Sequence, residues 1–179
     1  MTLQQANKTG FCVMPFVHFH VANNGKVPFC CEARGAMGDV NQQPVRAIWN
    51  SELFQEARHK MLAGEKLWQC EACYAAERAG DESLRQESNK RFAHHLHETA
   101  SKPQPEIREA PLYWDIRFSN ICNLRCRTCW HGNSSAWYGD ARRLHALANP
   151  RPLFHAVEDE SAFFQEVEEL LDCTAEWFW

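Results

Sequence analysis

The sequence lacks the features that define several large classes of protein. No apolar run in its 179 residues approaches the roughly 20 residues of a membrane-spanning helix, and the first eight residues lack the apolar core of a signal peptide. There is no low-complexity tract, and no basic cluster dominates a chain whose net charge is −4. These absences predict a globular, cytoplasmic protein of one ordinary or two small domains, without a nucleic-acid or membrane partner.

Cysteine, in contrast, is abundant, with nine residues. In a cytoplasmic protein, closely spaced cysteines are more often metal ligands than disulfide partners. Cys122, Cys126 and Cys129 form the pattern C-x3-C-x2-C. The motif follows closely after residues 112–118, whose sequence predicts a strand. Three thiolates on one loop can hold three corners of a cubane iron–sulfur cluster. The fourth iron then has no protein ligand from this motif, and an open metal position is typical of a catalytic site.

This loop resembles the cluster loop of the radical S-adenosylmethionine (radical SAM) enzymes. The resemblance rests on the preceding strand, on Asn120, on the C-x3-C-x2-C spacing and on Asn123 after the first cysteine. It implies a [4Fe-4S] cluster that binds S-adenosylmethionine and takes an electron from a donor such as flavodoxin or ferredoxin. Cleavage of the sulfonium then gives a 5′-deoxyadenosyl radical, which abstracts hydrogen from an unknown substrate, either a peptide or a small molecule.

The same resemblance implies candidate contacts to S-adenosylmethionine around the loop. They are Asn123, Thr128, Trp130 and Ser134, with His131 as a further candidate. The family usually has an aromatic residue just before the third cysteine, near the adenine. Here Thr128 holds that position and Trp130 follows the cysteine, so adenine packing is the part of the resemblance that departs from the pattern.

A second set of cysteines precedes this loop and consists of Cys12, Cys30, Cys70 and Cys73. The C-x2-C pair places two sulfurs within reach of one metal. From spacing alone, a zinc site and an iron–sulfur site are equally open, and the C-x3-C-x2-C motif of the same chain favours iron–sulfur. Cys30 and Cys31 are adjacent on a predicted strand and would point to opposite faces, so we expect only one of them to be a ligand.

This set resembles the auxiliary-cluster segment called a twitch domain or, when larger, a SPASM domain. Such segments accompany many radical SAM enzymes and hold an additional [4Fe-4S] cluster. The similarity rests on Cys12, on the spacing Gly25-x4-Cys30 and on the C-x2-C-Tyr motif at residues 70–74, and it favours Cys30 over Cys31. The segment more usually follows the catalytic barrel, whereas here it precedes the cluster loop.

Hydrophobic periodicity predicts an α/β chain. His18 and His20 fall on one side of the first predicted strand, where we expect them to pack or form hydrogen bonds rather than bind a metal. Ser161 is expected to cap the last helix. The predicted elements are a β-hairpin of residues 17–21 and 26–31, helices at 52–63, 81–98, 136–147 and 162–171, and a strand at 175–179.

The predicted organisation has three parts. Residues 1–98 form an α+β auxiliary-cluster domain, a proline-rich linker spans residues 99–111, and residues 112–179 form the first β/α unit of a TIM-type radical SAM barrel. Because such a barrel needs about 200 residues or more, we expect the chain to be a C-terminally truncated fragment that binds clusters but is inactive alone. The family's Gly-Gly-Glu segment would follow Trp179.

Two other functions remain open from the sequence. A non-catalytic zinc-binding or interaction module would use the four cysteines as a folding staple, although it leaves the C-x3-C-x2-C loop without a fourth ligand. A ferredoxin-like electron carrier would need a fourth cysteine near the loop, and the only later one is the distant Cys173, which we expect to be a buried small hydrophobe.

Overall fold

The computed structural model describes residues 2–96, 110–145 and 150–171. The helices in these ranges are α1 (Leu3–Lys8), α2 (Met14–Val17), α3 (Val45–Trp49), α4 (Glu52–Leu62), α5 (Glu71–Ala79), α6 (Leu84–Arg91), α7 (Tyr138–Arg143) and α8 (Glu160–Leu171). The strands are β1 (His18–Val21), β2 (Lys26–Val27), β3 (Gly38–Asp39) and β4 (Tyr113–Ile116). None of these helices is long and apolar enough to cross a membrane.

The parallel pairing of β1 with β4 joins two segments that lie far apart in the sequence. Its register places His18 opposite Tyr113 and His20 opposite Asp115. The strand predicted before the C-x3-C-x2-C motif is therefore present, with shorter bounds, and its partner comes from the predicted auxiliary-cluster domain. Residues 110 and 111, at the end of the predicted linker, are buried, and the rest of that linker lies outside the described ranges.

The predicted β-hairpin is wrong in its strand pairing. Its turn does form, since the Ala22 N–H donates to the Lys26 carbonyl at 2.9 Å and Gly25 has a φ of +78°. The second strand, however, is only two residues long and pairs antiparallel with β3. Pro28 follows it directly and has no N–H to continue a ladder. The described strands thus form two separate two-stranded sheets, and no barrel wall is present among them.

Helix α4 confirms the predicted helix at residues 52–63. The Ser51 hydroxyl accepts a hydrogen bond from the Phe54 N–H at 3.4 Å, and Gly64 follows the helix with a φ of +80°, as a helix C-terminus favours. The helical spacing of Leu53, Phe54, Ala57 and Met61 predicts one buried apolar stripe, but Leu53 is 51% exposed. The buried face is formed by Phe54, Ala57 and Met61.

The later helices have different bounds from those predicted. Of the predicted helix at 81–98, α6 covers Leu84–Arg91, and it follows Ser83, whose hydroxyl accepts from the Gln86 N–H. The cap of α8 is Asp159, whose carboxylate accepts from the Ala162 N–H at 3.0 Å, so Ser161 lies inside the helix and the predicted cap is wrong. The predicted helix at 136–147 is a 3₁₀ turn followed by the shorter α7. The predicted strand at 175–179 and Cys173 lie outside the described residues.

The hydrophobic core lies on one face of β1. Phe19 is fully buried, and its ring lies 6.2 Å from the Trp49 ring and 5.4 Å from the Trp114 ring. The buried Arg58 guanidinium lies over the Trp49 ring at 4.2 Å and donates to the Pro15 carbonyl at 2.8 Å. These contacts fix α2 and β1 against α4, and the segment just before α2 contains Cys12.

Candidate metal centres

Four cysteines from three separate stretches of sequence line one enclosed cavity. All four are buried, whereas the neighbouring Cys31 is exposed, so of the two adjacent cysteines only Cys30 faces this cavity. The space between the side chains is about 10 Å³, so a cubane cluster would push the surrounding side chains apart as it binds. The lining residues are Cys12, Cys30, Cys70, Cys73, Met14, Glu32, Ala33, Leu84 and Arg85.

Hydrogen bonds from α5 and α6 fix the backbone on both sides of Cys12. The Asn89 side chain accepts from the Val13 N–H at 2.9 Å and donates to the Phe11 carbonyl at 3.2 Å. The Tyr74 hydroxyl donates to the Gly10 carbonyl at 3.2 Å. Because these side chains are buried, the Cys12 backbone is held by groups that water cannot easily replace.

The other three cysteines are positioned by two joined loops. Cys70 immediately precedes α5 and Cys73 lies in its first turn, so their thiols lie at the positive end of that helix dipole, which favours thiolates. The loop after Cys30 is tied to the segment before Cys70 by the Arg34 N–H, which donates to the Gln69 carbonyl at 2.9 Å.

Arg85 places a buried positive charge beside the thiols. Its side chain is 1% exposed and forms two hydrogen bonds to the Glu77 carboxylate, each 2.8 Å long. It also donates to the Phe11 carbonyl at 2.7 Å, next to Cys12. Burial alone would lower the pKa of Arg85, but its hydrogen bonds and charge interaction with Glu77 raise that pKa overall.

Burial keeps the thiols of this cavity protonated at neutral pH. Desolvation raises the pKa of Cys30 to about 12 and that of Cys70 to about 11. Burial, followed by the charge of Cys30, also raises the pKa of Cys12 well above its usual value, and burial raises the pKa of Cys73. Arg85 opposes the shift at both Cys70 and Cys73. A metal or cluster that binds here must therefore displace protons.

The four cysteine sulfurs are not already arranged around one ion. Among the described residues, the group of three or more possible ligands within 4.8 Å of one another consists of two histidines and an aspartate, and it contains no cysteine. The sulfurs of a tetrahedral zinc site with Zn–S bonds of about 2.3 Å lie about 3.8 Å apart, so binding of one zinc ion, like binding of a cubane cluster, would require the cavity to rearrange.

The C-x3-C-x2-C loop is open to solvent. Cys126 is exposed and Cys122 and Cys129 are partly exposed, in contrast to the four enclosed cysteines. The Cys129 N–H donates to the Cys126 carbonyl at 2.9 Å, which forms a tight turn between the last two cysteines. The three sulfurs can therefore be reached from outside, as an iron with an open position for a small-molecule ligand requires.

Asn120 anchors the start of this loop. It is fully buried, and its side-chain nitrogen donates to the carbonyls of His131 at 3.2 Å and Pro152 at 3.1 Å. Its side-chain oxygen accepts from the Phe154 N–H at 3.1 Å. The amide of one residue thus joins the strand end to the segment after Cys129 and to the segment before α8, which fixes where the loop begins and ends.

The predicted contacts to S-adenosylmethionine have different surroundings. Asn123 and Thr128 are exposed, and Trp130 is 51% exposed beside the loop. Ser134 is fully buried, and its hydroxyl donates to the Leu124 carbonyl at 2.7 Å. That hydroxyl supports the loop from within and has no free face for a ligand.

His131 is also buried, and its ring packs 5.2 Å from the Tyr138 ring. The loop also touches the N-terminal region, because the Asn23 side chain donates to the Gly132 carbonyl and to Asn133 Oδ1, the latter at 2.9 Å. The roles of Cys122, Cys126 and Cys129 as ligands, and of their neighbours as cofactor contacts, stay predictions.

Sequence reasoning missed Asn89 as part of the four-cysteine site, because nothing in the local pattern indicates that α6 packs beside Cys12. The pattern of Glu77, Ser83 and Arg85 predicts capping and a salt bridge, and the structure confirms both, since Arg85 pairs with Glu77 and Ser83 caps α6. The sequence does not indicate that Arg85 is buried beside the thiols. A buried cation requires a strong anionic partner, and here Glu77 is that partner.

Comparison with known protein families supports the assignment of the four-cysteine region. Residues 12–74 match the family model SPASM, an iron-sulfur cluster-binding domain. The match begins at the first cysteine of the cavity and ends one residue after the last, and it does not reach the C-x3-C-x2-C loop. No curated protein matches the chain, and no solved structure does. About a third of the chain, residues 12–74, is thus similar to the SPASM iron-sulfur cluster-binding domain.

Proposed function

We propose that this chain carries the two cluster-binding regions of a radical SAM enzyme. The auxiliary [4Fe-4S] cluster is held by Cys12, Cys30, Cys70 and Cys73. A second [4Fe-4S] cluster, on Cys122, Cys126 and Cys129, supplies reductive cleavage of S-adenosylmethionine to a 5′-deoxyadenosyl radical, with flavodoxin or ferredoxin as the class of electron donor. The substrate that loses hydrogen to this radical is a peptide or a small molecule.

The observation that carries this proposal is the pairing of two unlike cysteine sites in one folded unit. Within residues 12–74, which match the SPASM model, the cysteines converge on a closed cavity. Outside that match, three further cysteines lie on an open loop at the end of β4. An enclosed site with four thiols suits a cluster that only transfers electrons, and an open site with three suits one that binds a reactant.

Residues of the chain also prepare the open loop for its role. The Ser135 hydroxyl accepts a hydrogen bond from the Cys122 N–H at 3.3 Å, and Asn120 fixes the residues just before the loop. The backbone that carries the three cysteines is therefore restrained before any cluster binds. Trp130 and Thr128 lie on the exposed side of the same loop. We propose that Trp130 provides the apolar surface for adenine that the family usually takes from the position of Thr128.

Anaerobic reconstitution with iron and sulfide tests the proposal. We expect about eight irons per chain, four for each cubane cluster. Cys126→Ala and Cys73→Ala should each lower the iron content by half, whereas Cys31→Ala, which changes an exposed cysteine beside the cavity, should leave it unchanged. S-adenosylmethionine should alter the electron paramagnetic resonance spectrum of the reduced protein only when Cys126 is present.

The competing function is a non-catalytic zinc-binding or interaction module. It predicts one zinc on the four cysteines, no labile sulfide and no effect of Cys126→Ala on metal content. Zinc without iron after expression in iron-rich medium and anaerobic purification would overturn our proposal. Reductant-dependent formation of 5′-deoxyadenosine from S-adenosylmethionine is the decisive positive result.

A further inference from the structure

A third group of possible metal ligands lies on the β1–β4 sheet, apart from both cysteine sets. The parallel register brings His18 and His20 of β1 alongside Asp115 of β4. One nitrogen or oxygen atom from each of the three residues lies within 4.8 Å of the corresponding atoms of the other two. Residues two apart on a strand face the same side, which explains why both imidazoles meet the carboxylate on one face of the sheet.

The histidines are almost completely withdrawn from water. His18 is 1% exposed and His20 is 2% exposed, and the Asp115 side chain is 27% exposed. His18 Nδ1 lies 3.3 Å from the Phe29 carbonyl, which orients the ring, while its buried Nε2 has no hydrogen-bond partner. This is the arrangement of many metal-binding histidines, in which one ring nitrogen donates to a backbone carbonyl and the other binds the metal.

His20 and Asp115 form a close pair across the two strands. His20 Nδ1 lies 2.9 Å from Asp115 Oδ2, although the ring N–H is not well directed at that oxygen, so Asp115 is the polar partner of this nitrogen. The nearby Arg117 guanidinium is 3.9 Å from the other carboxylate oxygen, Oδ1, so it leaves Oδ2 available. A shared cation would bind the Nε2 atom of His18, which has no hydrogen-bond partner, together with the His20–Asp115 pair.

We propose that His18, His20 and Asp115 bind one divalent transition-metal ion, with zinc as the ion of choice. Two imidazoles and one carboxylate form a ligand set used for zinc and for other first-row metals. The ion would cross-link β1 to β4 and thereby fix the end of β4, from which the C-x3-C-x2-C loop starts. This site is independent of the proposed iron–sulfur function, because it uses no cysteine.

The test measures whether the cluster-loaded chain binds zinc and which atoms coordinate that zinc. One equivalent of zinc is added anaerobically, unbound metal is removed, and the zinc X-ray absorption spectrum is recorded. We expect one bound zinc per chain with nitrogen and oxygen neighbours at about 2.0–2.2 Å and no sulfur at about 2.3 Å. Because zinc on the cysteines would show sulfur neighbours, failure of this proposal is distinguishable from failure of the iron–sulfur proposal.

Three variants complete the experiment. His20→Asn and Asp115→Asn should each abolish zinc retention, whereas His59→Asn, which changes an exposed histidine on α4, should retain the full equivalent. Asp115→Asn keeps the size of the side chain, so it remains informative if His20→Asn does not fold. Zinc with sulfur neighbours, zinc retained by Asp115→Asn, or no zinc retained by the unmodified chain would each overturn the proposal.

Discussion

The two cysteine sites of this chain differ in nearly every physical respect. The four cysteines of the N-terminal region are buried, have raised thiol pKa values and lie among hydrogen bonds from helices α5 and α6. The three cysteines after β4 are exposed or partly exposed, on a loop held by backbone and serine contacts. The comparison indicates that the first site is integrated into the core, whereas the second is mounted on the surface, where a reactant can reach it.

The largest expected contrast comes from removing one ligand at each site. Cys70→Ala and Cys126→Ala should each halve the iron content, but only Cys70→Ala should also lower the thermal midpoint of the chain strongly. The reason is that ligand binding at a buried site contributes directly to folding free energy. Anaerobic thermal unfolding, followed by circular dichroism, measures the difference. Equal shifts of the midpoint in the two variants would contradict the expectation that only the buried site contributes strongly to folding.

A second contrast concerns the buried ion pair beside the enclosed site. Arg85→Gln removes the charge and leaves the Glu77 carboxylate without its partner, which should destabilise the chain by about 3–5 kcal/mol. The matched control is Arg78→Gln, because Arg78 pairs with Glu71 where both side chains are about half exposed, and such pairs contribute about 0–1 kcal/mol. Urea unfolding of the two variants tests this order, and a similar loss in both would refute it.

The thiol pKa values predict a pH dependence for the metal-free chain. Because burial raises the folded-state pKa of Cys30 to about 12 and of Cys70 to about 11, the unfolded state loses its thiol protons first as the pH rises. The stability from these groups is present below about pH 8.5, the unfolded value. It declines above that pH, by about 1–2 kcal/mol per thiol at pH 10.

Urea unfolding at pH 7.5 and pH 10 measures this decline. The variant to compare is Cys12→Ala, which lacks one of the buried thiols. Its free energy of unfolding should fall less between the two pH values than that of the unmodified metal-free chain. Cys126→Ala, at an exposed thiol, should lose as much as the unmodified chain. A decline of the same size in both variants would show that the enclosed thiols are not its source.

The smallest expected effect tests the surface of the open site. A Cβ at Gly132 would lie 2.4 Å from the Trp130 ring, whereas a Cβ at Gly139 meets nothing within 4 Å. Gly132→Ala should therefore displace Trp130 and weaken binding of S-adenosylmethionine severalfold without changing iron content. Gly139→Ala, in α7, should leave binding unchanged. Titration of the reduced protein with S-adenosylmethionine measures both, and unaltered affinity in Gly132→Ala would exclude Trp130 as an adenine contact.

Sequence patterns predicted those features that depend on neighbours in the chain. The turn at Gly25, helix α4 and the strand before the cluster loop follow from local periodicity and turn chemistry. The convergence of the four cysteines was expected from their spacing and from a resemblance, and residues 12–74 do match a family model. The sequence could not show that β1 pairs with β4, because strand pairing between distant segments depends on the packing of the whole chain.

The histidines illustrate the same limit. His18 and His20 were expected to be packed or hydrogen-bonded, and the carbonyl of Phe29 does lie beside His18. Asp115, which makes the pair a possible metal site, is brought in by β4 from a distant part of the sequence. No local pattern connects it to the histidines, so the group becomes visible only once the parallel register is known.

The β1–β4 pairing also has a consequence for the order in which the protein assembles. Every residue that lines or anchors the four-cysteine cavity lies at or before Asn89, so that site can close while β4 is still being synthesised. β1, in contrast, must wait for residues 113–116 before its backbone is paired, and contacts so distant in sequence form slowly. During synthesis, one edge of β1 is therefore a temporary exposed strand edge, open to incorrect partners until the second cysteine loop is about to emerge.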